Sequence, residues 1–181
     1  RAELVGGGGV AGLAVVAAQV VAVAHMHPVA AQAGGQAPVI EFDLILQIGT
    51  PSEIYHHPVS PFAAEFFGDI NRLEAQVEGG LVATPFGAIP APALAEGSRA
   101  QILIRPESLQ LAPANSPGAH AVRLQEAHML GATSLASVCI NHGGQELELQ
   151  MQLPSHQLAG LGDELWVTLD RRGVFVFGAG Q

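Results

Sequence analysis

The stretch QELELQMQL at residues 145–153 sets Leu147, Leu149, Met151 and Leu153 in strict alternation with Glu146, Glu148, Gln150 and Gln152. Successive side chains point to opposite faces only in a β-strand, so this segment reads as a strand with one buried face and one wet face. Just upstream, Asn141, His142, Gly143 and Gly144 include residues that tolerate positive φ, and the apolar run SLASVCI precedes them. The spacing predicts a hairpin. Similar punctuation recurs elsewhere. RLEAQVEGGLVATPFG predicts two short strands around Glu78, Gly79 and Gly80, with Pro85 and Gly87 interrupting the second. RAQILIRPESLQL predicts a compact apolar strand over Ile102, Leu103 and Ile104, stopped at Arg105 and Pro106. ELWVTLDRRGVFVF predicts strands at residues 165–169 and 174–177, joined across Asp170, Arg171, Arg172 and Gly173. About seven short strands with turn signals between them predict a mainly β fold, a small barrel or sandwich.

Upstream of residue 70 the grammar is different. Thr50 can cap a helix through its hydroxyl, Pro51 suits the first helical position, and Glu53, followed by Ile54 and Tyr55, completes a capping box. Pro58 disfavours helical geometry in the residue before it, so this helix should end near His57. Ser60 and Pro61 repeat the start signal, Phe62 and Phe66 fall one turn apart on one face, and Gly68 can take the left-handed conformation that ends a helix. Two short, carefully capped helices are thus predicted over residues 46–70, a joint rather than a catalytic loop.

Charge and cysteine content exclude several classes of function. The formal charge is −9, carried against seven arginines and no lysine. Such a chain repels phosphate backbones, so no nucleic-acid partner is expected. The absence of lysine excludes a phosphate-binding loop of the G-x-x-x-x-G-K-[ST] type. Cys139 is the only cysteine, which excludes an intrachain disulfide and a cysteine-based zinc cage and fits a cytoplasmic setting. Residues 1–40 carry only Arg1 and Glu3 as charged side chains and show no strand or helix period. Their apolar run at residues 10–24 falls short of the roughly 20 residues that span a bilayer. His25 and His27 would share a face only on a strand and have no third ligand nearby, so no metal site is expected.

Candidate sites in the β region are few. Arg105, Pro106 and Glu107 place opposite charges at a strand end, either as an anion contact or, the reading that local signals favour, as a structural ion pair. Met129, Leu130, Gly131, Ala132, Thr133 and Ser134 combine small residues and hydroxyls, which could cradle an oxyanion with backbone N–H groups; a tight bend explains the same glycine. No nucleophile triad or carboxylate pair has a spacing that singles it out, so no catalytic residue is expected.

Taken together, LQIGTPSEIYHHPVSPFAAEFFGDINRL, ILIRPESLQL, MLGATSLASV and ELWVTLDRRGVFVF resemble, in order, the end of the nucleotide-binding domain and the C-terminal regulatory domain of ATP-binding-cassette import ATPases. The resemblance runs from about Leu46 to Phe177 and is greatest to the ferric-iron, sulfate and spermidine/putrescine types, with the wording around Thr84, Pro85, Phe86 and Gly87 and at residues 131–134 tilting toward ferric iron.

The resemblance implies a small OB-like (TOBE/MOP-like) β-barrel or sandwich at 71–178. A short two-helix connector at 46–70 and a low-complexity segment at 1–45 would precede it. It further implies a regulatory and dimerisation domain, a second copy of the ATPase subunit and membrane permease subunits as partners, and a place at the cytoplasmic membrane face. ATP and Mg would belong to the full-length family, and this chain is expected to hold no cofactor. Arg105, Glu107, Gly131, Thr133 and Ser134 would be ligand or regulatory contacts, and Thr50, Pro51, Glu53, Tyr55, Pro58, Phe62, Phe66 and Gly68 the connector. The family's phosphate-binding loop, signature, Walker B strand and switch histidine have no counterpart before Leu46; the faint likeness RAELVGGGGVAG puts Val5 where the signature serine belongs. The residue repertoire of 1–40 is what GC-rich DNA yields out of frame, which suggests a truncated or frame-disturbed fragment whose first forty residues pack poorly. A free-standing module for a small oxyanion such as molybdate is the alternative, and an oligonucleotide binder on the same barrel is disfavoured by the acidic charge.

Overall fold

The computed structural model describes residues 12–17, 20–28 and 40–179. They fall in two compact units, Arg1–Gly68 and Asp69–Gln181. In the first, β1 (Gly12–Ala17), β2 (Val20–Pro28) and β3 (Ile40–Gly49) form an antiparallel sheet in that order. The sequence shows no strand period before residue 40, yet strands form at residues 12–17 and 20–28. Backbone pairing needs no side-chain alternation, and valine-rich runs favour extended chain, so a sequence without a period still forms strands here. The remainder of residues 1–40 lies outside the described residues. His25 and His27 fall on β2, opposite Leu44 and Glu41.

Two short helices follow where the caps predict them, α1 (Pro51–His56) and α2 (Pro61–Glu65). Among the described residues no helix is long and apolar enough to cross a membrane.

The second unit is β throughout apart from α3 (Ser155–Leu158) and two single 3-10 turns. Its strands are β4 (Asn71–Glu78), β5 (Leu81–Thr84), β6 (Gly87–Pro90), β7 (Arg99–Ile104), β8 (Leu109–Leu111), β9 (His120–Met129), β10 (Thr133–His142), β11 (Gln145–Pro154), β12 (Glu164–Leu169) and β13 (Val174–Gly178). The mainly β, OB-like class expected from the sequence is what forms. Three strands exceed the expected seven: β6, β8 and β9. β6 and β8 are only four and three residues long, and β9 buries Val122 alone, so none carries a clear alternation.

The ten strands make two curled five-stranded sheets, ordered β11-β10-β9-β12-β8 and β13-β7-β4-β5-β6. Their inner faces share one core, with Val77, Val82, Ile102 and Ile104 from the second sheet and Leu109, Val138, Leu149, Met151 and Val167 from the first. Burial of each such side chain contributes about 1.5–3 kcal/mol. The alternation that predicted β11 is obeyed: Leu149, Met151 and Leu153 are buried, while Glu146 and Glu148 are exposed.

The chain passes from sheet to sheet twice, and the two passages run side by side. β7 pairs with β13 in one sheet and β8 with β12 in the other, with Ile104 opposite Val174 and Leu109 opposite Leu169. Between these pairs the register never slips: Arg105 N–H donates to Gly173 C=O (3.0 Å) and Asp170 N–H donates to Ser108 C=O (2.8 Å). The result is one antiparallel ribbon, bent at the 3-10 turns Pro106–Ser108 and Arg171–Gly173, that belongs to both sheets. Its bend is tight. A Cβ on Gly173 would lie 2.0 Å from the Oγ of buried Ser108, so only glycine fits.

Two further contacts hold the sheets. Asn71 at the start of β4 donates from Nδ2 to Gln150 C=O (2.8 Å) and accepts from Gln150 N–H at Oδ1 (2.6 Å), giving edge strand β11 a side-chain amide in place of a neighbouring strand. Arg171, just before edge strand β13, donates from Nη2 to Ala88 C=O of β6, the opposite edge of the same sheet (3.2 Å).

Two substitutions test this arrangement by urea denaturation. Asn71→Ala, which leaves the paired groups of Gln150 without their partner, is expected to cost about 2 kcal/mol. Gly173→Ala, which forces the ribbon apart at Ser108, is expected to cost about 1–3 kcal/mol.

Candidate functional site

The first sheet is curled so that its two edges, β8 and β11, approach to within 8 Å between Cα atoms without pairing. Outside this seam lies a groove of about 470 Å³ lined by Leu109, Gln110 and Leu111 of β8, Gln152, Leu153 and Pro154 of β11, and by Glu107, Thr133 and Gln157. The strand register sets what faces it. Ser108 C=O accepts from Asp170 N–H, just past β12, and Ala112 N–H donates to Trp166 C=O, so by two-residue alternation the backbone of Leu109 and Leu111 faces away from β12, toward the seam. Gln150 turns its backbone to Asn71 and therefore away from β10, and Gln152 follows it.

The residues singled out in the sequence scatter across the second unit. Glu107 and Thr133 meet in the groove. Arg105 does not line it. Its residue is 2 % exposed within the ribbon bend, and its guanidinium carbon lies 5.6 Å from the centre of the Phe175 ring. Gly131 sits in the exposed β9–β10 turn with φ of 99°. In that turn Leu130 N–H donates to Thr133 C=O (2.8 Å) and Ser155 N–H to Ala132 C=O (2.9 Å), so these groups serve the turn. Ser134 is fully buried, its hydroxyl 2.8 Å from that of Ser155. Gln110, Gln152 and Gln157 were not legible as site residues, since glutamine on the wet face of a strand or short helix is ordinary.

A second cavity, of about 380 Å³, is lined by Cys139, Arg123, Asn141, Glu146, Asp163 and Glu164 among others. Arg123 and Glu146 form an ion pair across it. Burial pushes the Cys139 thiol up from its ordinary value, reinforced by Glu146 and Glu148, and its Sγ accepts from Gln125 Nε2 (2.7 Å). A protonated, buried thiol is a poor nucleophile. At the ribbon turn, hydrogen bonds from the Arg172 side chain and backbone hold Asp170 below its ordinary range. Arg172 is thus occupied within its own turn.

The connector is built as its sequence specifies. Glu53 N–H donates to Thr50 Oγ1 (3.2 Å), while Glu53 Oε2 accepts from Thr50 N–H (2.7 Å) and from its hydroxyl (2.9 Å). Ser60 Oγ accepts from Ala63 N–H (3.2 Å) at the start of α2. Pro51 opens α1, and Pro58 lies between the helices. Ile54 and Ala63 are fully buried against Phe62, Phe66 and Phe67, and Tyr55 meets Phe67 edge-on at 5.9 Å. Gly68 closes the segment with φ of 129°. The sequence gave no sign of Gln47, whose amide donates to His57 C=O (2.9 Å) and accepts from Val59 N–H (3.1 Å), so that β3 clamps the turn between the helices.

Residues 102–177 match the TOBE domain family, and this segment begins in β7 and ends in β13, two strands paired to each other. The chain is similar to the sulfate/thiosulfate import ATP-binding protein CysA of Bordetella parapertussis, 29% identical over 159 residues, covering 84% of this chain and 45% of that protein. It is 31% identical over 137 residues to the CysA of Bordetella pertussis, covering 72% and 38%. It is 34% identical over 96 residues to the Fe(3+) ions import ATP-binding protein FbpC of Streptomyces coelicolor, covering 53% and 28%. Residues 102–177 are therefore a TOBE domain, and the chain is a relative of the C-terminal part of ABC import ATP-binding proteins. It spans less than half the length of these relatives. A molybdate-bound structure of the cytoplasmic molybdate-binding protein ModG aligns with a TM-score of 0.42 and 12% identity over 59% of this chain and 94% of that one, too slight a likeness to bear on what this chain binds.

The capping box makes the connector sensitive to acid. Hydrogen bonds from the Thr50 backbone and hydroxyl hold the Glu53 carboxyl below its ordinary value. A depressed folded value means that the cap's contribution is complete above the ordinary carboxylate range and is lost as pH falls through the folded value. Protection factors of the Ile54 and His57 amides, with the intrinsic pH dependence of exchange divided out, should fall on acidification in the native chain. In Thr50→Ala, which should lose about 1 kcal/mol of local helix stability, exchange should be fast already at neutral pH.

Proposed function

We propose that this chain serves as the C-terminal portion of the ATP-binding subunit of an ABC importer, with its β unit as the regulatory and dimerisation domain. The match of residues 102–177 to the TOBE domain carries this reading, and similarity to import ATP-binding proteins for sulfate/thiosulfate and Fe(3+) supports it. ATP hydrolysis, with its Mg, belongs in this scheme to a nucleotide-binding domain, and the chain alone binds neither. The partners are a second copy of the subunit and membrane permease subunits at the cytoplasmic face, with no role for nucleic acid. Ferric iron or a related ion is the transported substrate. Thr50, Glu53, Phe62 and Phe66 hold the connector in one shape, which a domain that reports to an ATPase requires.

Sedimentation velocity of the purified chain over a range of concentrations tests the dimerisation role. A closed dimer, at twice the 18.7 kDa of the chain, is the expected outcome. A monomer at every concentration, or open-ended growth of the kind that unprotected strand edges produce, overturns it.

A further inference from the structure

We infer that the seam groove of the first sheet is a binding site for a small, neutral, polyhydroxylated molecule of monosaccharide size. Its volume of about 470 Å³ lies within the range of small-ligand pockets, roughly 300–1,000 Å³. The seam is too narrow for a peptide. A strand inserted between β8 and β11 would need its neighbours about 9.6 Å apart, twice the inter-strand spacing, and the edges come within 8 Å.

The lining selects the chemistry. Side-chain amides of Gln110, Gln152 and Gln157 bring paired donors and acceptors, Thr133 brings a hydroxyl, and Glu107 brings a carboxylate. Among the described residues none is hydrogen-bonded to those three amide groups. Leu109 and Leu153 are 1% and 4% exposed, so they present mainly backbone, and Leu111 and Pro154 supply the apolar surface on which a ring's C–H face can rest. No arginine or histidine lines the groove, so it offers an oxyanion no cationic side chain, and a neutral ligand suits it better. A hydroxyl-rich neutral molecule uses every group present, since vicinal hydroxyls can donate to Glu107 while amides donate and accept around it. The groove stands whether or not the chain works in a transporter.

The test is a titration of the 15N-labelled chain with D-glucose, followed by two-dimensional NMR, with sulfate and putrescine as separate probes. Glucose should give saturable shifts confined to the side-chain amides of Gln110, Gln152 and Gln157 and the backbone amides around Thr133. Gln152→Leu and the exposed Gln157→Ala should each raise the Kd by about tenfold with spectra unchanged outside the groove. Glu107→Gln should weaken glucose without creating a sulfate site. The inference fails if glucose gives no saturable shift, if the shifts lie elsewhere, if the variants bind as the native chain does, or if sulfate or putrescine saturates these residues in preference.

Discussion

The second unit depends on the ribbon in which the chain's two passages between sheets are bonded to each other. A β-strand leaving one sheet for another would ordinarily strand its backbone N–H and C=O groups at the crossing, in an interior where each unpaired group costs about 1–3 kcal/mol. Here Arg105 and Ser108 of one passage bond Gly173 and Asp170 of the other, so the pairing of β7 with β13 continues into the pairing of β8 with β12. The bend brings the Ser108 and Arg105 side chains against Gly173, where an added Cβ would lie 2.0 Å from Ser108 Oγ, and that explains the glycine. It also explains where Arg105 goes: the guanidinium is carried over Phe175 by the same turn.

From that ribbon the groove follows. β8 is only three residues long because the 3-10 turn consumes the residues before it, and a strand so short pairs with β12 without reaching β11. The sheet therefore curls without closing. Along β11 the unclosed edge is served in two ways: Asn71 satisfies Gln150 with a side-chain amide, and Gln152, two residues on, borders the groove. The opposite sheet meets the same difficulty at β6 and β13 and closes it with the long arm of Arg171.

What could be read from residues was set by how local its cause is. The capping box at Thr50 and Glu53 is a contact between residues three apart, and it formed as written. The alternation in β11 reports one face against one core, and it too was legible. The strands before residue 40 were not, since pairing of β1 with β2 is a backbone property that Ala and Val neither advertise nor oppose. Arg105 and Glu107 illustrate the limit for sites. They are two residues apart in sequence, yet Arg105 is buried in the ribbon bend while Glu107, within the 3-10 turn, borders the groove. The three glutamines that share the groove come from β8, β11 and α3, and only the tertiary path joins them.

The strand arrangement around β7 also governs how the second unit bears load. β7 lies between β4 and β13, both antiparallel to it, so Asn71 and Val174 both sit beside Ile104 while Gly178 sits at the far end beside Ala100. Tension drawn between the start of β4 and the end of β13 thus runs along the strands and not across them. Every hydrogen bond in both ladders shares that tension at once, instead of breaking one after another as a zipper would. A unit held this way transmits a pull from one end of its chain to the other as a stiff link, with the sheet itself as the resisting element.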